Sequence, residues 1–305
     1  MVSDTPFFSV IVPSRNRPGL AGDCVRAVLA QDHPSFEILL CDQSDNDEAR
    51  CSDQRADDGS GRLHWLRAPG RGRSRALNAG IPLARGAWLV LIDDDCLPPR
   101  DWLQRLQDEI RKAGPRDVII GRVMSGPVGP GMAPPPAILD EPRPRDYIGR
   151  VARDLIYPNF AMPRAAVTEL GLFDERMGVG TPLPGGEDND FGYRLLRAGW
   201  RILYRPTPVV VHLAWRPPAD RAALKRAYGM GQGAFYAKHL ATLDPFIAYR
   251  CVRDVLATAR AAAGAAVRGW HTERRGHLAF LGGMFVGLVR MGALMARGTP
   301  AREKL

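Results

Sequence analysis

Residues 87–95 read Ala87-Trp-Leu-Val-Leu-Ile-Asp-Asp-Asp95, six apolar residues running without a break into three carboxylates. A compact apolar run of this length, stopped by polar residues, predicts a buried strand. The same grammar recurs on both sides. Phe7–Val12 (FFSVIV) ends at Pro13, Phe36–Cys41 (FEILLC) ends at Asp42, and Leu63–Leu66 is a shorter run. Downstream, Asp117–Val123, Arg201–Tyr204 and Pro208–His212 predict further strands. Between them, Leu20–Gln31, Ser74–Ala84, Trp102–Lys112 and Glu187–Ala198 space their apolar residues as helices do. Alternating strands and helices imply an α/β fold with a mostly parallel sheet flanked by helices. Ligands of such sheets bind at the carboxyl ends of the strands, where Asp42 and Asp93–Asp95 fall.

A chain of 305 residues suits one such domain with an appendage. Its 45% hydrophobic and 25% charged content is that of a soluble globular protein. The stretch 126–146 (GPVGPGMAPPPAILDEPRPRD) is Pro-rich and aperiodic, and it reads as a long surface loop within the domain. Cys24, Cys41, Cys51, Cys96 and Cys251 form no CxxC pair, which favours a reducing compartment. The N-terminal residues lack the basic and apolar regions of a secretion signal, so the expected location is cytoplasmic. Net charge is uneven. Residues 216–305 carry 15 Lys or Arg against 5 Asp or Glu, whereas residues 1–215 carry 27 against 28. The basic end therefore calls for an anionic surface as partner, membrane or nucleic acid.

Three acidic features carry chemistry. Carboxylates at Asp93 and Asp95 suit a hard divalent cation, Mn²⁺ or Mg²⁺, which takes oxygen ligands from protein and phosphate. On an extended chain these two would point the same way. The bland alternative is a solvated acidic turn, but three carboxylates directly after an apolar strand repel one another without a cation. Gly185-Gly186-Glu187-Asp188-Asn189-Asp190 opens a helix, where a carboxylate either takes a proton from an attacking hydroxyl or merely complements the helix dipole. His212 closes the run VVVH, as a metal ligand or as a histidine satisfied at a strand end.

The segment Ser9–Pro18 (SVIVPSRNRP) resembles the opening strand and loop of family-2 glycosyltransferases of the GT-A fold. FEILLCDQSDND, the stretch GRGRSRALNAGIPLARGAWLVLIDDDCLPP, and LGLFDERMG followed by GGEDNDFGYRLLRAGWRILYRPTPVVVH resemble that family's later motifs in the same order. The resemblance spans roughly residues 7–215. It implies a catalytic domain over 1–215, with a donor half to about 125 and an acceptor half over 147–215, and a helical C-terminal region over 216–305. It further implies a nucleotide-diphosphate sugar donor (UDP-, GDP- or dTDP-linked) and an inverting transfer to an acceptor hydroxyl on a glycan or lipid. On that footing the loop Pro13-Ser14-Arg15 wraps base and ribose, and Asp42 bonds the base. Arg75, Asn78, Asp93 and Asp94 line the donor pocket, and Asp93, Asp95 and His212 meet the metal. Asp188 is the general base, oriented by Glu187 or Asp190. One departure stands out: Ala76-Leu77-Asn78 replaces the usual Ala-Arg-Asn, leaving Arg71, Arg73 and Arg75 as alternatives for the phosphate contact.

Leu278–Ala296 (LAFLGGMFVGLVRMGALMA) is almost wholly apolar, interrupted by Arg290. It reads as a buried or oligomer-forming helix, an interfacial membrane helix, or a short span. Two rival functions share features with this chain. A sugar-nucleotidyltransferase would need a Gly-rich, Lys-bearing loop near the N-terminus, and none is evident. A nucleic-acid-binding protein would suit the basic end, but the acidic cluster and the missing nucleic-acid motif oppose it.

Overall fold

The computed structural model describes residues 8–46, 58–132, 135, 137–151, 155–213 and 221–298. Cys51, part of the Pro-rich loop and both edges of the 216–305 region lie outside them. In chain order the elements are β1 (Phe8–Ser14), α1 (Pro18–Leu29), β2 (Phe36–Asp42), β3 (Leu63–Arg67), α2 (Arg73–Gly80), β4 (Trp88–Leu91) and β5 (Cys96–Leu97). There follow α3 (Trp102–Ile110), β6 (Asp117–Ser125), β7 (Arg145–Tyr147), β8 (Phe160–Pro163), α4 (Arg164–Leu170), α5 (Glu187–Arg197) and β9 (Arg201–His212). The chain ends in α6 (Arg221–Leu240), α7 (Pro245–Val267) and α8 (His271–Ala296).

One mixed, mostly parallel sheet runs β3-β2-β1-β4-β8-β6-β9-β5, with β7 against β9. The apolar strands are continuous because both faces are covered. Ile11, Leu39, Leu89 and Leu91 join one core layer, and their alternating neighbours Val10, Val12, Ile38, Leu40 and Val90 join the other. The helix read over Ser74–Ala84 stops at Gly80, and a tighter 3-10 turn over Ile81–Leu83 holds Pro82.

Arg201–Tyr204 and Pro208–His212, separate in the sequence reading, form a single strand. Opposite the step from Gly121 to Arg122 the register jumps from Arg205 to Val209. The prolines at 206 and 208 have no N–H for the ladder, so the chain bulges there instead of ending. Asn159 closes the gap: its amide donates to the Arg122 and Pro208 carbonyls, each at 3.0 Å, and accepts from the Trp102 indole at 2.9 Å. The strand therefore arrives at His212 on register with Ser125. The long loop also returns to the sheet, through the bridge between Val123 and Leu139 and through β7.

The C-terminal helices lie against the domain along a seam of glycines. A Cβ on Gly229 or Gly233 of α6 would overlap the carbonyl oxygen of Phe280 or Met284 on α8. Conversely, a Cβ on Gly283 or Gly287 would overlap that of Arg226 or Met230 on α6. Backbones meet this closely only where both helices lack side chains. The next glycine of α6, Gly231, presses in the same way on Gly185 and Gly186 at the start of α5.

A buried ion cluster fastens the same junction. Asp190 of α5 receives Arg194 at 3.0 Å, Lys238 of α6 at 3.0 Å and His239 at 2.8 Å. Burial would push its carboxyl up, but Lys238, Arg194 and His239 together hold it well below the usual range. Among the described residues, α8 is the one helix long and apolar enough to cross a membrane; its most apolar window has a mean hydropathy of 1.8 and is 22% buried.

Gly233→Val is expected to force α8 off α6 and to destabilise the chain by about 3 kcal/mol, with protease cleavage appearing first in the C-terminal helices. Unchanged thermal unfolding and an unchanged cleavage pattern would show that the seam is not tight.

Candidate functional site

The acidic triplet is a turn, not an extended segment. The Cys96 amide donates to the Asp93 carbonyl at 3.1 Å, which bends the chain between β4 and β5 and sends the three carboxylates apart. Asp93 faces Arg73, whose Nε stands 2.9 Å away. Asp94 is wholly buried and meets Arg17 Nη2 at 2.9 Å. Asp95 meets Arg17 Nη1 at 3.2 Å and His212 Nε2 at 3.2 Å. The pairing of β5 with β9 sets Cys96 opposite His212, so one short antiparallel contact brings the ends of the two sequence motifs together.

Asp95, Cys96 and His212 offer ligand atoms within 4.8 Å of one another, all three buried. The carboxylate and the imidazole fit a divalent ion, and a mixed oxygen and nitrogen pair favours Mn²⁺ over Mg²⁺. Cys96 fits poorly. Burial and the neighbouring Asp93 and Asp95 raise its thiol far above the ordinary range, so it stays protonated. Burial works to lower the His212 pKa, but the hydrogen bond and charge of Asp95 outweigh it and raise the pKa overall. Burial pushes Asp94 up to about 7 despite Arg17, with Asp95 adding to the rise.

Arg73 is the first residue of α2. Gly72, at φ +123°, turns the chain into that helix with Thr181 packed against it, and the Arg73 amide donates to the Val179 carbonyl at 3.0 Å. The guanidinium spans the site, with Nε on Asp93 and Nη1 2.8 Å from Asp188 on α5. Burial opposes its charge, but Asp188 and Asp93 hold it ionised. Beside it, burial and Asp188 lift Glu187 to about 7. Burial, aided by Asp93, also raises Asp188 against the pull of Arg73.

The other residues picked from sequence are distributed as follows. Pro13 and Ser14 are buried at the end of β1, in register with Cys41 and Asp42. Asp42 accepts from the Ser44 amide at 2.7 Å. Arg15 reaches Asp45 at 2.8 Å, and Asn16, at φ 54°, ties the same carboxylate, which laces the β1 and β2 loops together. Asn78 is occupied in holding the acceptor-side loop: its amide donates to the Phe173 carbonyl at 2.8 Å and accepts from the Phe173 amide at 3.0 Å. Arg75 pairs with Glu175 at 3.5 Å. Asp190 turns toward α6, away from Asp188. Arg17 carried no role in the sequence reading; its only signal was an arginine in the loop that precedes Pro18 at the start of α1.

A mixed, mostly parallel sheet flanked by helices, with carboxylates and a histidine gathered at its strand ends, defines a GT-A fold. The model of glycosyl transferase family 2 matches residues 9–171, and the chain belongs to that family. The match stops before Glu187–His212. Glycosyltransferase AglE of Haloferax volcanii is 32% identical over 126 residues, covering 40% of this chain and 41% of that protein. A PGL/p-HBAD biosynthesis glycosyltransferase of Mycobacterium tuberculosis is 31% identical over 121 residues, covering 39% and 47%. The aligned part is thus less than half of either relative. The solved mannosyltransferase of Pyrobaculum calidifontis, in complex with GDP-Man and Mn²⁺, shares the fold at a TM-score of 0.62 and 18% identity, over 94% of this chain and 88% of that one.

Protonated imidazole has no lone pair for a metal, and the His212 pKa is raised. Mn²⁺ affinity is therefore expected to fall as pH drops from about 8 to about 6, beginning above the ordinary histidine value of about 6.5. His212→Ala should bind Mn²⁺ more weakly with a flatter profile. Calorimetry showing the same pH dependence in both proteins would remove His212 from the ligand set.

Proposed function

We propose that this chain is a metal-dependent, inverting glycosyltransferase that moves a sugar from a nucleotide diphosphate to an acceptor hydroxyl, in the synthesis of a polysaccharide, cell-surface glycan or glycolipid. The observation that carries the reading is the span of Arg73, which sets the donor-side Asp93 and the acceptor-side Asp188 across one gap. A divalent ion on Asp95 and His212 would neutralise the leaving diphosphate. Asp93, Asp94 and the lacing of Arg15 and Asp45 near Asp42 would seat ribose and base.

Asp188 takes the acceptor proton. Its raised pKa makes it a stronger base than an exposed aspartate, and Arg73 keeps the carboxylate aimed while limiting that rise. The acceptor oxygen then bonds to the anomeric carbon as the bond to the diphosphate breaks on the opposite face, so configuration inverts. Glu187 lies next to this pair, and the Asp188 charge together with burial raises its own carboxyl. Of the three arginines that could stand in for the missing one at Leu77, Arg73 has the position for it: Arg71 faces Asp45 and Arg75 faces Glu175.

The C-terminal helices suit peripheral contact with an anionic membrane at its cytoplasmic face. Tyr249, Val252 and Leu256 on α7, and Leu278, Phe285 and Val289 on α8, are exposed at helical spacing, with Arg253 and Arg260 exposed on α7.

A thermal-shift panel of nucleotide sugars is expected to show stabilisation that requires Mn²⁺, and turnover should release nucleoside diphosphate rather than pyrophosphate. Asp188→Asn should lower transfer by about a thousandfold or more with nucleotide binding nearly unchanged; near-normal transfer would refute the base assignment. Wild type should float with phosphatidylglycerol vesicles and not with phosphatidylcholine alone, and Phe285→Asp/Val289→Asp should stay at the bottom of the gradient. Flotation of the double variant like wild type would sink the membrane reading.

A further inference from the structure

Beside the catalytic centre, where the end of α8 meets the acceptor-side loop, lies a cleft of about 820 Å³. Five arginines line it: Arg71 and Arg75 from the donor side, Arg176 from the acceptor-side loop, and Arg290 and Arg297 from α8. The one acidic residue in the lining is Glu175. Arg71 also pairs with Asp45, and Arg176 with Asp174 behind the wall, so five guanidinium groups face three carboxylates. Among the described residues the positive excess remains after these pairs are counted. A concavity with this excess selects an anion, and guanidinium groups match the oxygens of a phosphate.

The cleft is built by the fold. Arg290 Nη1 donates to the Pro182 carbonyl at 3.3 Å, which ties α8 to the loop that also packs on Gly72 and bonds Arg73. The glycine seam sets how far α8 reaches along the domain, and so where Arg290 and Arg297 stand. The apolar part of the wall comes from the same helix end, at Ala293 and Leu294, and from Pro182 and Leu183 of the loop. Leu278, Gly282, Phe285 and Val289 form an exposed stripe on α8 that leads toward Arg290.

We infer that this cleft holds the phosphate group of the acceptor substrate, with any hydrocarbon part of that substrate lying along α8. The inference deepens the glycosyl-transfer reading by assigning a phosphate-bearing acceptor class. It separates the two anions of the reaction: the donor diphosphate at the strand ends, and the acceptor phosphate between the loop at 175–183 and α8. Held there, an acceptor would reach Asp188 past Arg73, whose chain neighbours Arg71 and Arg75 line the cleft.

The test uses the full chain, with the donor site filled by UDP or GDP and Mn²⁺, and measures binding of inorganic phosphate, geranyl phosphate and geraniol by calorimetry. Phosphate-bearing probes should bind at least about tenfold more tightly than geraniol, and Arg290→Ala/Arg297→Ala should remove that difference. Arg297→Ala alone leaves the Pro182 contact in place and should show a partial loss, while circular dichroism and the melting temperature report that α8 stays docked. Tighter binding of geranyl phosphate than of inorganic phosphate assigns the site to a lipid phosphate. Equal binding assigns it to a soluble phosphate ester, and either result supports the anion site. Wild type binding geraniol as well as geranyl phosphate, or the double variant binding like wild type, would overturn it. Failure of the glycosyl-transfer reading would appear elsewhere, as loss of Mn²⁺-dependent nucleotide-sugar binding in the wild type.

Discussion

Four carboxylates, Asp93, Asp94, Asp95 and Asp188, crowd the carboxyl ends of this sheet, and their mutual repulsion in a partly buried place must be met by positive charge. Arg17 holds Asp94 and Asp95, Arg73 holds Asp93 and Asp188, and His212 takes the remaining side of Asp95. Removing one partner from such a cluster leaves a buried charge uncompensated, which costs about 3–5 kcal/mol. The cations are therefore structural. Arg73 joins the half of the site built on β4 to the half built on α5, through Asp93 and Asp188.

The position of α5 is set from behind. Gly185 and Gly186 both take positive φ, and Gly231 of α6 packs against them so closely that a Cβ on Gly186 would meet its carbonyl oxygen. Asp190 then bolts α5 to Lys238 and His239. The C-terminal helices are thus the rear wall of the acceptor half. Gly229 and Gly233 of α6 let α8 approach, and Gly231 between them fixes the start of α5 and with it the place of Asp188, so α6 couples the C-terminal helices to this half of the site.

Much of this was legible along the chain. Largely apolar runs located β1, β2 and β4, because strands buried on both faces carry few polar residues, and the buried Ser9 and Glu37 are satisfied by bonding each other at 2.6 Å. Asp188 and Asp95 stood out as candidates because one opens a helix and the other follows an apolar strand, positions that local pattern marks without deciding their role. The turn at Asp93–Asp95 was not legible: an extended chain would aim Asp93 and Asp95 together, and the bend exists only because β5 leaves to pair with β9. Asn78, picked as a donor-pocket residue, also ties the loop at Phe173, a contact 95 residues away that no local pattern announces. Arg17 was invisible, since an arginine in a loop has no periodicity to mark it.

The sequence by itself determined the alternation of strands and helices, the acidic set at the strand ends and the basic C-terminal region. All three follow from local pattern, where burial on a strand or spacing on a helix constrains residue type directly. Only the tertiary structure decided which cation serves which carboxylate, that Asp190 belongs to the junction with α6, and that α8 meets the loop at 175–183 to form a cleft lined by arginines. Long, flexible side chains and helix-to-helix docking depend on where distant segments come to rest, and one-dimensional spacing does not encode that.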